Sequence, residues 1–208
     1  MRHFCVIVSC ILLFHAGRAQ FTVGPKAGLN VAKISFSSSN FKTGFQPGLY
    51  AGAFANYEVN AHWSGQFEVL HSGEGGREKA TNGEANGHIN ETLIQFPLLA
   101  QYHSMMGLYG EAGPQLGVLA AIRETYNGMS STSIKQYYHT TEFRFPFGAG
   151  YVFSNASKLK GLGINARYSF SFSKINKDAV GGESLKNSVI SIGAFYKIPV
   201  GRVGRKSK

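Results

Sequence analysis

The chain predicts an all-β fold, an antiparallel up-and-down transmembrane β-barrel of about eight strands, and three observations carry that prediction. Segment after segment alternates apolar with small or polar residues, and the apolar register is rich in aromatics. The clearest case sets Leu162, Ile164, Ala166, Tyr168, Phe170 and Phe172 against Gly163, Asn165, Arg167, Ser169, Ser171 and Ser173. Because a strand points successive side chains to opposite faces, this segment has one wholly apolar face and one hydrated face. A small water-soluble barrel would turn the apolar face inward, whereas a bilayer favours an apolar, aromatic exterior. The second observation is composition: 26 Gly and 13% aromatic residues with only 15% charged residues is far from a soluble helical protein. The third is that no apolar stretch after the N-terminus approaches the ~20 residues a spanning helix needs, so any crossing is made by strands.

The first residues carry Arg2, then the apolar run Phe4 to Phe14, then Ala16-Gly17-Arg18-Ala19. These are the charged, apolar and small-residue regions of a secretory signal. The division expected is a signal peptide over 1–19, a barrel domain over 20–200 and a basic tail over 201–208. Cys5 and Cys10 both fall in the signal, so the mature chain is expected to hold neither thiol nor disulfide. Ile7-Val8-Ser9-Cys10 loosely resembles a lipoprotein box, but cleavage there would split the apolar run and leave Ile11 to Phe14 on the product. The formal charge of +10 includes Arg2 and Arg18, and part of the remainder is the tail Arg202, Arg205, Lys206 and Lys208. In an exported protein such a tail meets anionic headgroups rather than nucleic acid.

Strand one is expected over Phe21 to Lys33, with Phe21, Val23, Pro25, Ala27, Leu29 and Val31 outward and Gly24, Lys26, Gly28 and Asn30 inward. A polar loop follows over Ser35 to Gly44. Strand two runs from Phe45 to Glu58 with Leu49, Ala51, Ala53, Ala55 and Tyr57 outward, and the turn Asn60 to His62 leads into strand three, Trp63 to His71, with Gln66 and Glu68 inward. Gly73 to Gly87 shows no periodicity and reads as a long loop. Strand four, Glu91 to His103, places Ile94, Phe96, Leu98, Ala100 and Tyr102 on the apolar side. Met105-Met106-Gly107 turns into strand five, Leu108 to Ala121, with Glu111, Gly113, Gln115 and Gly117 inward and Leu116 and Val118 outward. A second long loop is expected over Arg123 to Thr140.

Strand six, Thr141 to Phe153, presents Phe143, Phe145, Phe147, Ala149, Tyr151 and Phe153 outward, with Glu142, Arg144, Pro146, Gly148 and Gly150 inward. Ser154 to Lys160 is a shorter turn before strand seven, Asn176 to Lys186 a third loop, and strand eight runs from Asn187 to Val200 with Ile190, Ile192, Ala194, Tyr196 and Ile198 outward. Long and short connections thus tend to alternate. In outer-membrane barrels the short turns face the periplasm and the longer loops the exterior, and an even strand number puts both termini on the periplasmic side.

Gly24-Pro25-Lys26-Ala27-Gly28-Leu29-Asn30, Phe67-Glu68-Val69-Leu70-His71-Ser72, Ile94-Gln95-Phe96-Pro97-Leu98-Leu99, Gly107-Leu108-Tyr109 with Ala112-Gly113-Pro114-Gln115-Leu116-Gly117, and Ala166-Arg167-Tyr168 follow one another in an order that resembles the PorT-like, porin-like family of small outer-membrane β-barrels. The resemblance spans nearly all of the chain after the signal. It implies a Gram-negative outer-membrane location, and for the most part it assigns no activity. Such barrels often end on an aromatic residue read by the insertion machinery, whereas this chain continues past Tyr196 to Lys208.

The charges expected to point inward are Lys26, Glu58, Glu68, Glu111, Glu142, Arg144, Arg167 and Lys197. The interior of so small a barrel is nearly filled by side chains, so these groups should pair, with Glu68, Glu111, Arg144 and Arg167 at the centre of one ion-pair network. Phe145, Phe147, Ile164, Phe170 and Ile192 are expected to face lipid. Tyr57, Trp63, Tyr102, Phe153 and Tyr196 suit a headgroup girdle at the periplasmic strand ends, and Tyr126, Tyr137 and Tyr138 lie in a loop where exposed tyrosines serve recognition. His71 and Ser72 with Glu68 or Glu111 have the residue types of a hydrolytic trio, but adjacent strand residues face opposite ways and no nucleophile-elbow sequence accompanies them. His62, His88, His103 and His139 lack ligand spacing. The expectation is therefore a non-enzymatic barrel with no catalytic residue, cofactor or metal, in a structural or surface-interaction role. Its expected partners are outer-membrane lipid, the barrel insertion machinery and an extracellular or periplasmic protein. A narrow porin-like channel for small solutes is the alternative, and a soluble lipocalin-like carrier a further one.

Overall fold

The computed structural model describes residues 20–36, 41–80, 86–126, 132–153, 158–173, 175–177 and 185–200. The expected signal, the basic tail and most of the third loop lie outside the described residues. The strands are β1 (Gln20–Phe36), β2 (Phe41–Gly44), β3 (Gln46–Glu58), β4 (Trp63–Ala80), β5 (Asn86–His103), β6 (Leu108–Ala112), β7 (Gln115–Tyr126), β8 (Thr132–Ser133), β9 (Thr141–Val152), β10 (Leu162–Ser171), β11 (Leu185–Tyr196) and β12 (Ile198–Val200), with a single 3-10 turn at Lys135–Tyr137. Every pairing is antiparallel, and the ring closes because β1 pairs with β3 on one side and with β11 and β12 on the other. Three pieces are interrupted staves: β2 leads into β3 past Phe45, β6 into β7 at Gly113-Pro114, and β11 into β12 at Lys197. The barrel has eight staves and no open edge in its wall, which is the condition for strands to exist in hydrocarbon.

The turn end is tight. Asn60 Oδ1 accepts hydrogen bonds from the backbone N–H groups of His62 and Trp63, each at 2.9 Å, an Asx turn that reverses the chain between β3 and β4. Gly107 and Gly161 adopt φ of 87° and 85°, where a side chain would be strained, and end the connections into β6 and β10.

The outward face follows the alternation. Leu29, Leu49, Phe67, Val69, Leu98, Phe147, Ile164, Tyr168, Ile190 and Ile192 are all exposed, and Phe145 and Phe170 are half-buried because they pack on each other and on Phe147 and Phe172. On the β4–β5 pair the apolar band begins at Trp63 opposite Tyr102, whose rings meet edge to face at 5.1 Å, and ends at His71 opposite Ile94. Above it the outward residues of β5 are Thr92, Asn90 and His88.

In the expected loop Gly73–Gly87, residues 73–80 and 86–87 are strand, and 81–85 lie outside the described residues. β4 and β5 are each 18 residues long and stay paired from Trp63–Tyr102 up to Lys79–Asn86. A tilted spanning strand needs about 9–11 residues, so this hairpin rises well past the band. β2 pairs with its β4 side, and β7 with its β5 side as far as Gly87–Tyr126. Gly73, Gly75 and Gly76 hide the alternation because they carry no side chain to display it, while the backbone ladder continues through them. Arg123–Thr140 is likewise only partly loop, since β7 extends to Tyr126 and the 3-10 turn folds Tyr138 inward to bridge Asn176. Tyr138 is therefore buried rather than an exposed recognition residue, whereas Tyr137 is exposed. Ser35–Gly44 is shortened at both ends, by β1 and by β2.

Every inward aromatic of the lower barrel faces a glycine on the neighbouring strand: Tyr50 opposite Gly28, Phe54 opposite Gly24, Tyr109 opposite Gly150 and Phe195 opposite Gly163. A Cβ on Gly163 would lie 2.3 Å from the Phe195 ring and one on Gly150 would lie 2.4 Å from the Tyr109 ring, so the ring lies over its partner's bare backbone.

Two outcomes are expected. Gly163→Val should destabilise the barrel by about 1–3 kcal/mol through overpacking, and a second change, Phe195→Ala, should recover part of that loss in a urea-unfolding double-mutant cycle. Ile164→Arg should cost about 2–4 kcal/mol near the midplane, and environment-sensitive labels should report lipid at 164 and a polar interior at 165.

Candidate functional site: a layered lumen

The interior is built in layers. At the turn end a cavity of about 560 Å³ opens among Thr22, Glu58, Met105, Met106, Lys160 and Lys197. Lys197 Nζ lies 3.6 Å from Glu58 Oε1 across it. Above it Phe54, Tyr109 and Phe195 form a small aromatic layer, with Phe54 and Phe195 meeting edge to face at 5.6 Å.

The next layer is a closed ion-pair network. Inward positions of β1, β4, β6 and β10 bring Lys26, Glu68, Glu111 and Arg167 together. Arg167 donates from Nη1 and Nη2 to the two Glu68 oxygens at 2.9 and 3.0 Å, and from Nε and Nη2 to Glu111 Oε1 at 3.0 and 2.9 Å. Lys26 Nζ donates to Glu68 Oε1 at 2.9 Å, and Gln66 Nε2 adds a bond to the same oxygen at 2.6 Å. Gln101 Nε2 and Asn165 Nδ2 complete Glu111 at 3.0 and 3.3 Å. Glu68 has no exposed surface. Two cations face two carboxylates, and the remaining lone pairs are largely met by amides, the condition under which buried charges hold together.

A second network stands above the first. Arg144 Nη1 donates to Glu74 Oε2 and Nη2 to Glu142 Oε2, each at 2.6 Å. Glu74 Oε1 accepts from Gln95 Nε2 at 2.5 Å and Ser72 Oγ at 2.8 Å, and Asn30 Nδ2 donates to Ser72 Oγ at 2.6 Å. Asn187 Nδ2 donates to Glu91 Oε2 at 3.0 Å and to Glu142 Oε2 at 3.5 Å. Over this layer Ile34, Ile89, Leu93, Leu119, Ile122, Tyr138, Ile175 and Leu185 form a buried apolar cluster that caps the loop end. Between the two networks remains a small cavity with room for about one water.

Of the residues singled out in the sequence, Glu68, Glu111 and Arg167 meet in one network and Arg144 lies in the other. Glu74 and Glu91 went unrecognised, Glu74 because the glycines around it mask the strand and Glu91 because it stands at the first expected position of one. The spacing Ile89-x-Glu91-x-Leu93-x-Gln95 was the available signal. The apolar cap was missed for a related reason: at the top of β1 and β5 the inward register itself turns apolar. His71 is exposed on the outer face and Ser72 is buried in the lumen, so they do not approach one another as a catalytic pair. Among the described residues no group of three acidic, histidine or cysteine side chains is placed to hold a metal.

Residues 16–177 match the outer membrane protein beta-barrel domain family. The chain belongs to that family. It is an outer-membrane β-barrel protein, and its outward face is exposed and rich in aromatic residues. Among solved structures it is similar to Neisserial surface protein A, at 18% identity over 87% of this chain and 99% of that one, with a TM-score of 0.51. It is also similar to Ail, the attachment invasion locus protein of Yersinia pestis, solved with the heparin analogue sucrose octasulfate (14% identity, 86% and 99% covered, TM-score 0.48), and to OprG of Pseudomonas aeruginosa (16%, 88% and 97%, 0.45). At these identities the likeness is one of fold. No curated protein matches the chain.

Arg167 is the hub of the lower network, so Arg167→Leu should cost about 3–5 kcal/mol by leaving Glu68 and Glu111 buried against each other. Urea unfolding in lipid vesicles measures it, and replacing Arg167 together with Glu111→Gln should recover part of the loss.

Proposed function

We propose that this barrel is a non-enzymatic envelope protein with a closed lumen, whose contacts with partners are made by the wall that rises above the membrane. The observation that carries the reading is the filled interior: two buried ion-pair layers separated by room for about one water, with an apolar cap above and an aromatic layer below. A solute path would have to break both guanidinium hubs and the cap. The cavity at the turn end does not argue for a channel, since Val152 on its wall already packs against the aromatic layer.

The surface role rests on the β4–β5 hairpin. Bilayer matching explains the 10 residues of β10 and the 12 of β9, but not the 18 of β4 and β5. The part above His71 and Ile94 pairs into one sheet with β2 and β7, and strand edges of this kind suit recognition of an extracellular protein. Outer-membrane lipid and the insertion machinery are the partners that the barrel itself requires.

Purified protein in planar bilayers should give little or no steady conductance, and long-lived open channels would favour the porin-like alternative. Replacing 77–87 by a tight turn, which keeps Glu74 and Glu91, should leave faster migration of unheated protein on gels intact while abolishing binding to whole-cell or extracellular-matrix surfaces. Full retention of binding would place the function elsewhere.

A further inference from the structure

The two lumen networks differ in charge balance. In the lower one Lys26 and Arg167 face Glu68 and Glu111. In the upper one Arg144 alone faces Glu74, Glu91 and Glu142, and among the described residues no other cation pairs with these three carboxylates. All four side chains are buried. The neighbours of Glu91 are Glu74, paired across from it on β4, Ile122 on β7, Glu142 and Arg144 on β9, and Asn187 on β11, with the apolar cap overhead. The charged or titratable groups among these are Glu74, Glu142 and Arg144, with the Tyr138 phenol in the cap.

Arg144 pairs with Glu74 and with Glu142, and Glu91 is the carboxylate of this layer met by an amide and by no cation among the described residues. The Asn187 amide is 3.0 Å from Glu91 Oε2 and 3.5 Å from Glu142 Oε2, and Glu142 Oε1 is buried with no partner among the described residues. Three ionised carboxylates against one guanidinium leave two uncompensated charges beneath an apolar cap, an arrangement that repels itself and draws in water. One proton on Glu91, the carboxylate without a cation partner, halves that excess. The carboxylates are not placed as metal ligands.

We propose that Glu91 holds a proton at neutral pH, and that the upper plug keeps its full stability only while the proton is held. The ligand is the hydrogen ion, taken from and returned to water on the cap side. This rests on the closed-lumen reading, whose own failure would show as steady conductance at neutral pH, independently of the measurements below.

The sign of the pH effect is set by linkage. The unfolded chain has ordinary glutamates, with pKa values of about 4.3, and binds no proton at neutral pH. If the folded protein binds one, stability falls as pH rises above the ordinary glutamate range and levels off once Glu91 has ionised.

Infrared spectra of the wild-type protein in phosphatidylcholine vesicles at neutral pH should show the carbonyl stretch of a protonated carboxylic acid, lost on alkalinisation in step with a fall in the urea midpoint. The band should be missing in Glu91→Gln, and the urea midpoint of that variant should stay level where that of the wild type declines. Absence of the band in the wild type at neutral pH overturns the proposal, and so does a band that survives Glu91→Gln. A wild-type midpoint that responds to exchange of sodium for a bulky organic cation, with no acid band, would mean an alkali ion neutralises the layer and would equally overturn it. The wild-type band and its alkaline loss are read without any variant, so a substitution that fails to insert leaves the test intact.

Discussion

Hydrocarbon offers no hydrogen-bond partner to a backbone, and the rest of this structure follows from that constraint. Each strand must be paired on both sides, so the wall closes through β1 against β11 and β12, and closure defines an inside. Once the outside is surrendered to lipid, the inward register is the one place where polar side chains fit. The alternation that turns Ile164 and Tyr168 outward necessarily puts Asn165 and Arg167 in the lumen.

A narrow lumen then imposes its own bookkeeping of charge. Arg167 can be buried because its nitrogens reach two carboxylates at once, and those carboxylates are further met by Lys26, Gln66, Gln101 and Asn165. A lysine in its place would offer a point charge without the planar fork that spans from β4 to β6. The glycines opposite Tyr50, Phe54, Tyr109 and Phe195 belong to the same problem of space: rings that stopper the lower barrel fit only where the facing strand has no side chain.

What could be read from the sequence, and what could not, divides along physical lines. The eight staves, their inward and outward registers and the inward placement of Glu68, Glu111, Arg144 and Arg167 were legible because period-two alternation reports which face each side chain takes. Partner choice was not: alternation fixes the face but not the height, and strand stagger lifts Arg144 to the level of Glu74 and Glu142, away from Glu68. The tall hairpin was hidden because above the membrane neither face of β4 meets lipid, so Gly73–Arg77 shows no apolar register. The cap was hidden by the reverse switch, Ala32, Ile34, Ile89 and Leu93 being apolar on the inner face.

That switch in the inner register explains why the two networks are built differently. The lower one is enclosed by the membrane-spanning wall, where an uncompensated charge has no nearby water to relax into, and its charges balance through Lys26 and Arg167. On β5 the upper one sits level with the outward-facing Asn90 and Thr92, while on β9 its Arg144 lies between the outward-facing Phe143 and Phe145. An unequal charge count is tolerable there because the aqueous phase lies on the far side of an apolar lid contributed largely by the strand tops and by Tyr138 and Ile175. The lower layer therefore serves the integrity of the barrel, while the upper layer joins the barrel to the elements that fold over its mouth.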